Sequence, residues 1–560
     1  MAIGVVVVVA LGIGVICATT GGPSEKDAVT TFARAWDRGD YAAMRDQVTG
    51  AVQDRYDARA FQAAYAAAAD TATLTTVRTG APSNAGDGVW RVPVTVQTKA
   101  FGPVHGTLRV KVVKQDGKAR VAWTPNLVFP GLGEGETLKR TTEMPARADL
   151  LARDGTPLAQ GPDRTSPLGA AAQAISGALG PIPEDRKERY AQLGYPADTQ
   201  VGISGLERAF DERLAGTPGG ELRAGARLLA QRAPRKGKAV RTTIAPSVQQ
   251  AAVTALAGRL GGVVALRPKT GEILAAAGIG FSGLQPPGST FKIITATSAL
   301  ENGVAKITDT FPVQTSATLE GVELQNANGE SCGGTLANAF AQSCNSVFGP
   351  LGAKVGAAKL VATAERFGFN APTGITGAAT SSIPAADEIG DDLAVGSSAI
   401  GQGRVQATAL QMAIVAATIG LRGQRPDVTL DPNRWKVAPK HRATSVKVAK
   451  TVEKLMLGVV RYGTGTAAAI PDVKVAGKTG TAELKSTQTC KPTPDDPESC
   501  ADQAQSDETD TDAWFATYAP AGSGTPRVAV GFMLVGAGAG GDTAAPAARE
   551  VLLAGLKNGG

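Results

Sequence analysis

Directly after Pro286, Pro287 and Gly288 stand Ser289 and Lys292, three residues apart where the chain enters an apolar run that reads as a helix. Residues i and i+3 share one face of a helix, so the spacing predicts the Lys292 amine beside the Ser289 hydroxyl. Any fold for this chain has to bring that first helical turn to a reaction site. A serine hydroxyl is a weak nucleophile until a base takes its proton. The usual imidazole does not serve here, because the chain has only His105 and His441 and neither sits in a motif. A lysine must act instead.

Taken alone, Ser-x-x-Lys is a weak signal, since such pairs are mostly solvated helix faces. Two further motifs follow. Ser343, Cys344 and Asn345 offer a hydroxyl and a carboxamide two residues apart, within Leu336 to Phe348, a stretch that reads as helix or loop. Lys478, Thr479 and Gly480 run on into Thr481, Ala482 and Glu483 after the mostly apolar Val473 to Ala476, which reads as a buried strand. Ser-x-Asn is nearly uninformative by itself and Lys-Thr-Gly only modest; the three in this order are far more specific. Together they resemble the active site of the penicillin-binding proteins and serine β-lactamases.

Further segments discriminate within that superfamily. Pro286 to Lys292 (PPGSTFK), Ser398 to Ala413 (SAIGQGRVQATALQMA), Lys478 to Glu483 (KTGTAE) and Ala513 to Pro520 (AWFATYAP) resemble the transpeptidase domain of high-molecular-weight penicillin-binding proteins. The resemblance covers residues 245 to 557. The Ser-Asp-Asn form of class A β-lactamases is not matched, nor is a general-base glutamate for deacylation, which argues against a lactamase.

The resemblance implies roles. Lys292, with its pKa lowered by burial and neighbouring cations, accepts the Ser289 proton, and Ser289 attacks a carbonyl to give an acyl-enzyme. The backbone N–H groups of Ser289 and Thr481 stabilise the oxyanion. Ser343 relays the proton to the leaving amine, Asn345 holds the substrate amide, Lys478 supplies positive charge, and Thr479 and Thr481, flanking Gly480, hydrogen-bond a terminal carboxylate. Such a site suits a peptidoglycan stem peptide ending in D-Ala-D-Ala, passed to a neighbouring amine, and is acylated by β-lactams. It needs no cofactor.

At 560 residues the chain has room for about three to four domains. A net charge of +7 is modest at this size and the basic residues are scattered, so nucleic acid is an unneeded partner; Arg232 to Lys238 (RAPRKGK) reads as a solvated loop. Alanine and glycine richness matches high-GC actinobacterial usage. Ala2 to Thr20 carries no charge, and about twenty apolar residues span a bilayer, so residues 1–20 read as a single membrane helix. A cleavable signal is the rival, weakened by the lack of a positive n-region. The chemistry then sets orientation: a single-pass cell-membrane protein with its catalytic part outside, among cell-wall synthesis or division proteins.

Four cysteines besides Cys17 fall in two close pairs. In an exported chain such spacing suggests disulfides. Cys490 and Cys500 enclose a polar, proline-rich stretch that a bridge would tie down. For Cys332 and Cys344 a bridge and a buried free thiol both stay open, since Cys344 lies inside the second motif. No spacing resembles a zinc site, so no metal is expected.

The expected architecture is multidomain α+β. In residues 25–138, an amphipathic helix Asp27 to Arg38 and a second over Ala58 to Ala69 precede four alternating stretches, Ala72 to Arg78, Val89 to Gln97, Thr107 to Val113 and Arg120 to Trp123, which predict strands. This small α+β, cone-shaped domain resembles the nuclear-transport-factor-like extension of methicillin-resistance-type transpeptidases. Residues 139–244, with Arg147 to Ala159 and Gly202 to Gly219, resemble the pedestal or dimerisation segment of class B penicillin-binding proteins. Residues 245–560 predict an antiparallel sheet flanked by helices: a hairpin of Val263 to Arg267 and Glu272 to Ala276, the nucleophile helix, a helix over Ala407 to Ile419, strands at Val473 to Thr481, Ala513 to Tyr518 and Val528 to Val535, and a closing helix Ala547 to Leu556, with a polar insert Ser486 to Asp512. A β-lactam sensor, a noncatalytic cell-wall scaffold, and a carboxypeptidase or endopeptidase remain alternatives, the last pair differing only in whether water or an amine accepts the acyl group.

Overall fold

The computed structural model describes residues 24–483, 511–522 and 525–558. The chain divides into two compact units. One comprises 24–145 with Ile182–Thr199 and Gly216–Lys236; the other takes Ala146–Pro181, Gln200–Ala215 and the chain from Gly237 onward. Residues 139–244, expected as a single pedestal, are thus shared between the units.

In the first unit, helix Glu25–Asp37 begins at a capping box: the Ser24 hydroxyl accepts from the Asp27 N–H while the Asp27 carboxylate accepts from the Ser24 N–H. Its apolar face buries Val29, Phe32 and Trp36. Helix Ala58–Ala72 ends at Thr73 in a left-handed conformation (φ 52°), after which strand Leu74–Thr79 starts. The strand expected from Ala72 therefore begins two residues later, because the alanine-rich run favours helix to its last residue. Strands Leu74–Thr79, Val89–Thr98, Gly102–Gln115 and Lys118–Val121 form one antiparallel sheet in that order. Along Val89–Thr98, Trp90, Val92, Val94 and Val96 point inward, the period-two pattern of a sheet with one covered face. Short helices Tyr41–Asp46 and Gly50–Arg55 were not legible from periodicity.

The second unit is organised by a five-stranded antiparallel sheet in the order Glu272–Gly278, Gly261–Arg267, Val528–Leu534, Thr511–Ala519, Ala476–Glu483. Helices Pro246–Leu256 and Ala544–Lys557 share one core with the sheet. Helix Ala409–Gly420 joins the larger core and is buried on every side, as its uninterrupted apolar sequence requires. The last strand starts at Ala476, not Val473; Val473 instead pairs with Ile470 in an isolated bridge. Thr511 and Asp512, expected in the polar insert, belong to strand Thr511–Ala519; the rest of that insert, with Cys490 and Cys500, lies outside the described residues, as does Ala2 to Thr20. Among the described residues no helix is long and apolar enough to cross a membrane.

Candidate active site

Ser289 lies on a 3₁₀ turn, Gly288–Phe291, and Lys292 is the first residue of helix Lys292–Glu301. Two glycines let this turn sit on the edge strand Ala476–Glu483. Gly288 has φ +51°, and a Cβ there would come 2.7 Å from the Thr481 carbonyl oxygen; a Cβ on Gly480 would come 2.7 Å from the Pro287 carbonyl oxygen. A side chain at either position would force the turn away from the strand, so both glycines are required by close backbone approach. The same approach brings residues 289 and 481, whose N–H groups are the expected oxyanion donors, onto one seam.

The second motif forms a bend. Helix Leu336–Ala341 stops, Ser343 adopts φ +65°, and helix Asn345–Val355 begins. That conformation points both Ser343 oxygens and the Asn345 carboxamide at one amine. Lys292 Nζ lies 2.9 Å from Ser289 Oγ, 2.6 Å from the Ser343 carbonyl oxygen, 2.7 Å from Asn345 Oδ1 and 3.3 Å from Ser343 Oγ. A neutral amine has two N–H donors and one lone pair. With the donors taken by the Ser343 carbonyl and Asn345 Oδ1, the lone pair is left for the Ser289 hydroxyl proton. Lys478 Nζ donates to Ser343 Oγ at 2.9 Å and to the Thr479 carbonyl at 3.0 Å, so Ser343 Oγ lies between the two lysines.

Electrostatics favour the neutral base. Both lysines are fully buried. Burial holds the Lys292 pKa well below the usual lysine value, and repulsion from Lys478 lowers it further. Burial alone pulls Lys478 down to about 7. The rings of Phe348 and Phe340 lie 5.7 Å from Lys292 Nζ and Lys478 Nζ respectively, which offsets part of the cost of a charged amine there.

Several partners were missed from sequence. Thr464 Oγ1 lies 2.5 Å from Thr479 Oγ1, and its N–H donates to the Ala341 carbonyl, linking the third motif to the helix before the second. Asn345 Nδ2 donates to the Gln325 carbonyl at 2.9 Å, and the buried Asn326 accepts from the Ser346 N–H at 2.8 Å. The flanking glycines Gly463 and Gly465 were the only signal for Thr464. Thr481 Oγ1 accepts from the Gly540 N–H at 3.4 Å.

Cys332 and Cys344 are disulfide-bonded, with Cα atoms 5.5 Å apart, within the usual range for a bridge. A loop of this size is stabilised by roughly 3 kcal/mol through lost unfolded-state entropy. Nonreducing peptide mapping is expected to recover Cys332 and Cys344 as one linked pair; full alkylation of both in native protein would contradict the bond. His105 lies beside the Thr95 hydroxyl and His441 beside Asp427. Among the described residues no cluster of acidic, histidine and cysteine side chains could hold a metal ion.

Residues 261–553 match the family of the penicillin-binding protein transpeptidase domain. The chain belongs to this family. Upstream, 141–239 match the penicillin-binding protein dimerisation domain and 24–136 the NTF2-like N-terminal transpeptidase domain. The chain is therefore a multidomain penicillin-binding protein that mixes helices with antiparallel sheets. It is 33% identical over 440 residues to the peptidoglycan D,D-transpeptidase PbpA of Mycolicibacterium smegmatis, covering 66% of this chain and 82% of that protein. It is 32% identical to the PbpA of Mycobacterium tuberculosis, covering 66% and 83%. Among solved structures, the ceftriaxone acyl-enzyme complex of penicillin-binding protein A from M. tuberculosis matches with TM-score 0.56 and 28% identity, over 73% of this chain and 98% of that one. The D,D-transpeptidase domain from Eggerthella lenta matches with TM-score 0.57 and 30% identity, over 74% and 98%.

Proposed function

We propose that this penicillin-binding protein is a serine-type peptidoglycan D,D-transpeptidase that cross-links stem peptides through an acyl-enzyme on Ser289 and is inhibited by β-lactams. The observation that carries this is the Lys292 amine, buried, depressed in pKa and 2.9 Å from Ser289 Oγ with its other donors engaged. Lys292 takes the hydroxyl proton as Ser289 Oγ attacks the penultimate D-Ala carbonyl. The N–H groups of Ser289 and Thr481 receive the oxyanion, Ser343 passes a proton to the departing D-Ala amine, and Asn345 holds the substrate amide. Lys478 with Thr479 and Thr481 binds the terminal carboxylate. An amine of a second stem peptide then attacks the acyl-enzyme, loses a proton by the reverse route and leaves as the cross-linked amide.

In this assignment residues 1–20 anchor the protein in the cell membrane, 25–138 form a cone-shaped spacer, 139–244 a pedestal and 245–560 the catalytic domain outside the cell, working beside other cell-wall synthesis proteins. Likeness to the NTF2-like and dimerisation families supports the middle two parts, and the uncharged stretch Ala2 to Thr20 supports the first.

Full-length protein in detergent, supplied with a pentapeptide donor ending in D-Ala-D-Ala and an amine acceptor, is expected to release D-Ala and form the donor–acceptor amide. Release of D-Ala with hydrolysis alone would make it a carboxypeptidase. No release and no adduct with a fluorescent penicillin would overturn the assignment.

A further inference from the structure

We propose that the Cys332–Cys344 bond is a positioning device for acylation, fixing the two oxygens that aim the Lys292 amine at Ser289. The proposal rests on Ser289 and Lys292 being nucleophile and base. Cys344 sits between the two residues that supply those oxygens, the Ser343 carbonyl at 2.6 Å and Asn345 Oδ1 at 2.7 Å from Nζ. Their directions depend on a bend the backbone does not favour: Ser343 carries a Cβ yet holds φ +65°, a left-handed conformation costly for such residues. Something outside the bend has to hold it.

Two of the ties that do so converge. The covalent one runs from Cys344 to Cys332, the first residue of strand Cys332–Thr335, which pairs antiparallel with Thr310–Gln314 and places Cys332 opposite Gln314. The other runs from the Ser346 N–H to Asn326 Oδ1, while Asn326 Nδ2 donates to the Gln314 and Glu330 carbonyls at 2.8 and 2.9 Å. Both ties therefore end at the Gln314 position of one small sheet. The hydrogen bond from Ser346 holds the bend from beyond Asn345, and others hold it nearer in, from the Ser343 and Cys344 N–H groups to the Phe340 and Ala339 carbonyls and from Asn345 Nδ2 to the Gln325 carbonyl; the disulfide is the covalent tie at its centre. A neutral amine takes a proton along a single lone pair, whose direction is set by where its two N–H groups go. If the Ser343 carbonyl and Asn345 Oδ1 drift, the lone pair drifts with them, and a misplacement of about 1 Å can cost about 100-fold in rate.

Cys332→Ala tests this, because it cuts the tie and leaves Ser343, Cys344 and Asn345 in place. Measured well below the unfolding midpoint, its second-order acylation rate with a penicillin is expected to fall roughly ten- to a hundred-fold. The acid limb of its pH profile is expected to move upward, as a loosened bend admits water to the amine and relieves its desolvation. A Cys490→Ser, Cys500→Ser protein, which lacks the second candidate bridge, is expected to behave like Cys332→Ala once reduced by a phosphine after folding, and supplies the comparison should Cys332→Ala not fold. A bond with a purely structural role would lower the midpoint but leave rate and profile unchanged below it; that result overturns the proposal. Acylation of the untreated wild type on Ser289 tests the underlying assignment separately, so the two failures are distinguishable.

Discussion

Ser289→Ala is expected to abolish covalent labelling by penicillin while leaving the fold intact. The substitution removes one partly exposed hydroxyl, and Lys292 keeps its contacts with the Ser343 carbonyl and Asn345 Oδ1. The variant should thus retain the native stability within about 1 kcal/mol, as partly exposed substitutions away from the core usually do. Without Oγ no acyl bond can form, so a fluorescent penicillin should give no stable adduct on a denaturing gel. Noncovalent binding can persist, since Lys478, Thr479 and Thr481 are untouched. In the wild type, peptide mapping should place the adduct on a fragment containing Ser289. An adduct that survives Ser289→Ala at full yield would show that the nucleophile lies elsewhere.

The parts of this site that could be read from sequence are those that local geometry dictates. Ser289 and Lys292 meet because three residues nearly close a helical turn, even though Ser289 itself lies in the preceding 3₁₀ turn. Lys478 to Thr481 lie on one strand because their sequence continues an apolar run to the sheet edge. What escaped were contacts made by distant segments, such as Thr464 with Thr479 and Asn326 with Ser346, for which neither spacing nor periodicity gives a signal. Cys332 and Cys344 were visible as a pair, but only the packing of strand Cys332–Thr335 beside the bend decides for a bond. Ser343 carried no sign of its left-handed backbone, since serine is not among the residues enriched there.

The fold shows the same division. Strand Val89–Thr98 and the hairpin of Gly261–Arg267 with Glu272–Gly278 follow from alternation and turn residues, whereas helix Tyr41–Asp46 is too short for its period to emerge. Charge was the subtler miss. Sequence presents Lys478 as a plain cation, but complete burial brings it down to about 7, so near neutrality it is only partly charged.

That difference separates the two lysines by experiment. Lys292→Arg is expected to lower the acylation rate by about 10³-fold or more, the upper range for loss of a general base, because guanidinium stays protonated at any working pH and cannot accept the Ser289 proton. Lys478→Arg keeps a positive charge near Ser343 and the substrate carboxylate, and should lose far less, on the order of 10-fold from the poorer fit of a planar fork. The pH profiles sharpen the contrast. In the wild type, acylation should rise with pH as Lys292 loses its proton, at a pH well below the usual lysine range because burial and the Lys478 charge both disfavour the cation. It should fall again near pH 7 as Lys478 becomes neutral and the carboxylate loses its counter-charge. In Lys478→Arg the rising limb should remain, since the repelling charge persists, while the falling limb disappears. The measurement is the second-order acylation rate with a penicillin across pH, on proteins shown to be folded. A Lys292→Arg protein as fast as wild type, or a Lys478→Arg protein more damaged than it, would reverse the roles assigned to the two amines. A falling limb that survives Lys478→Arg would assign that titration to another group.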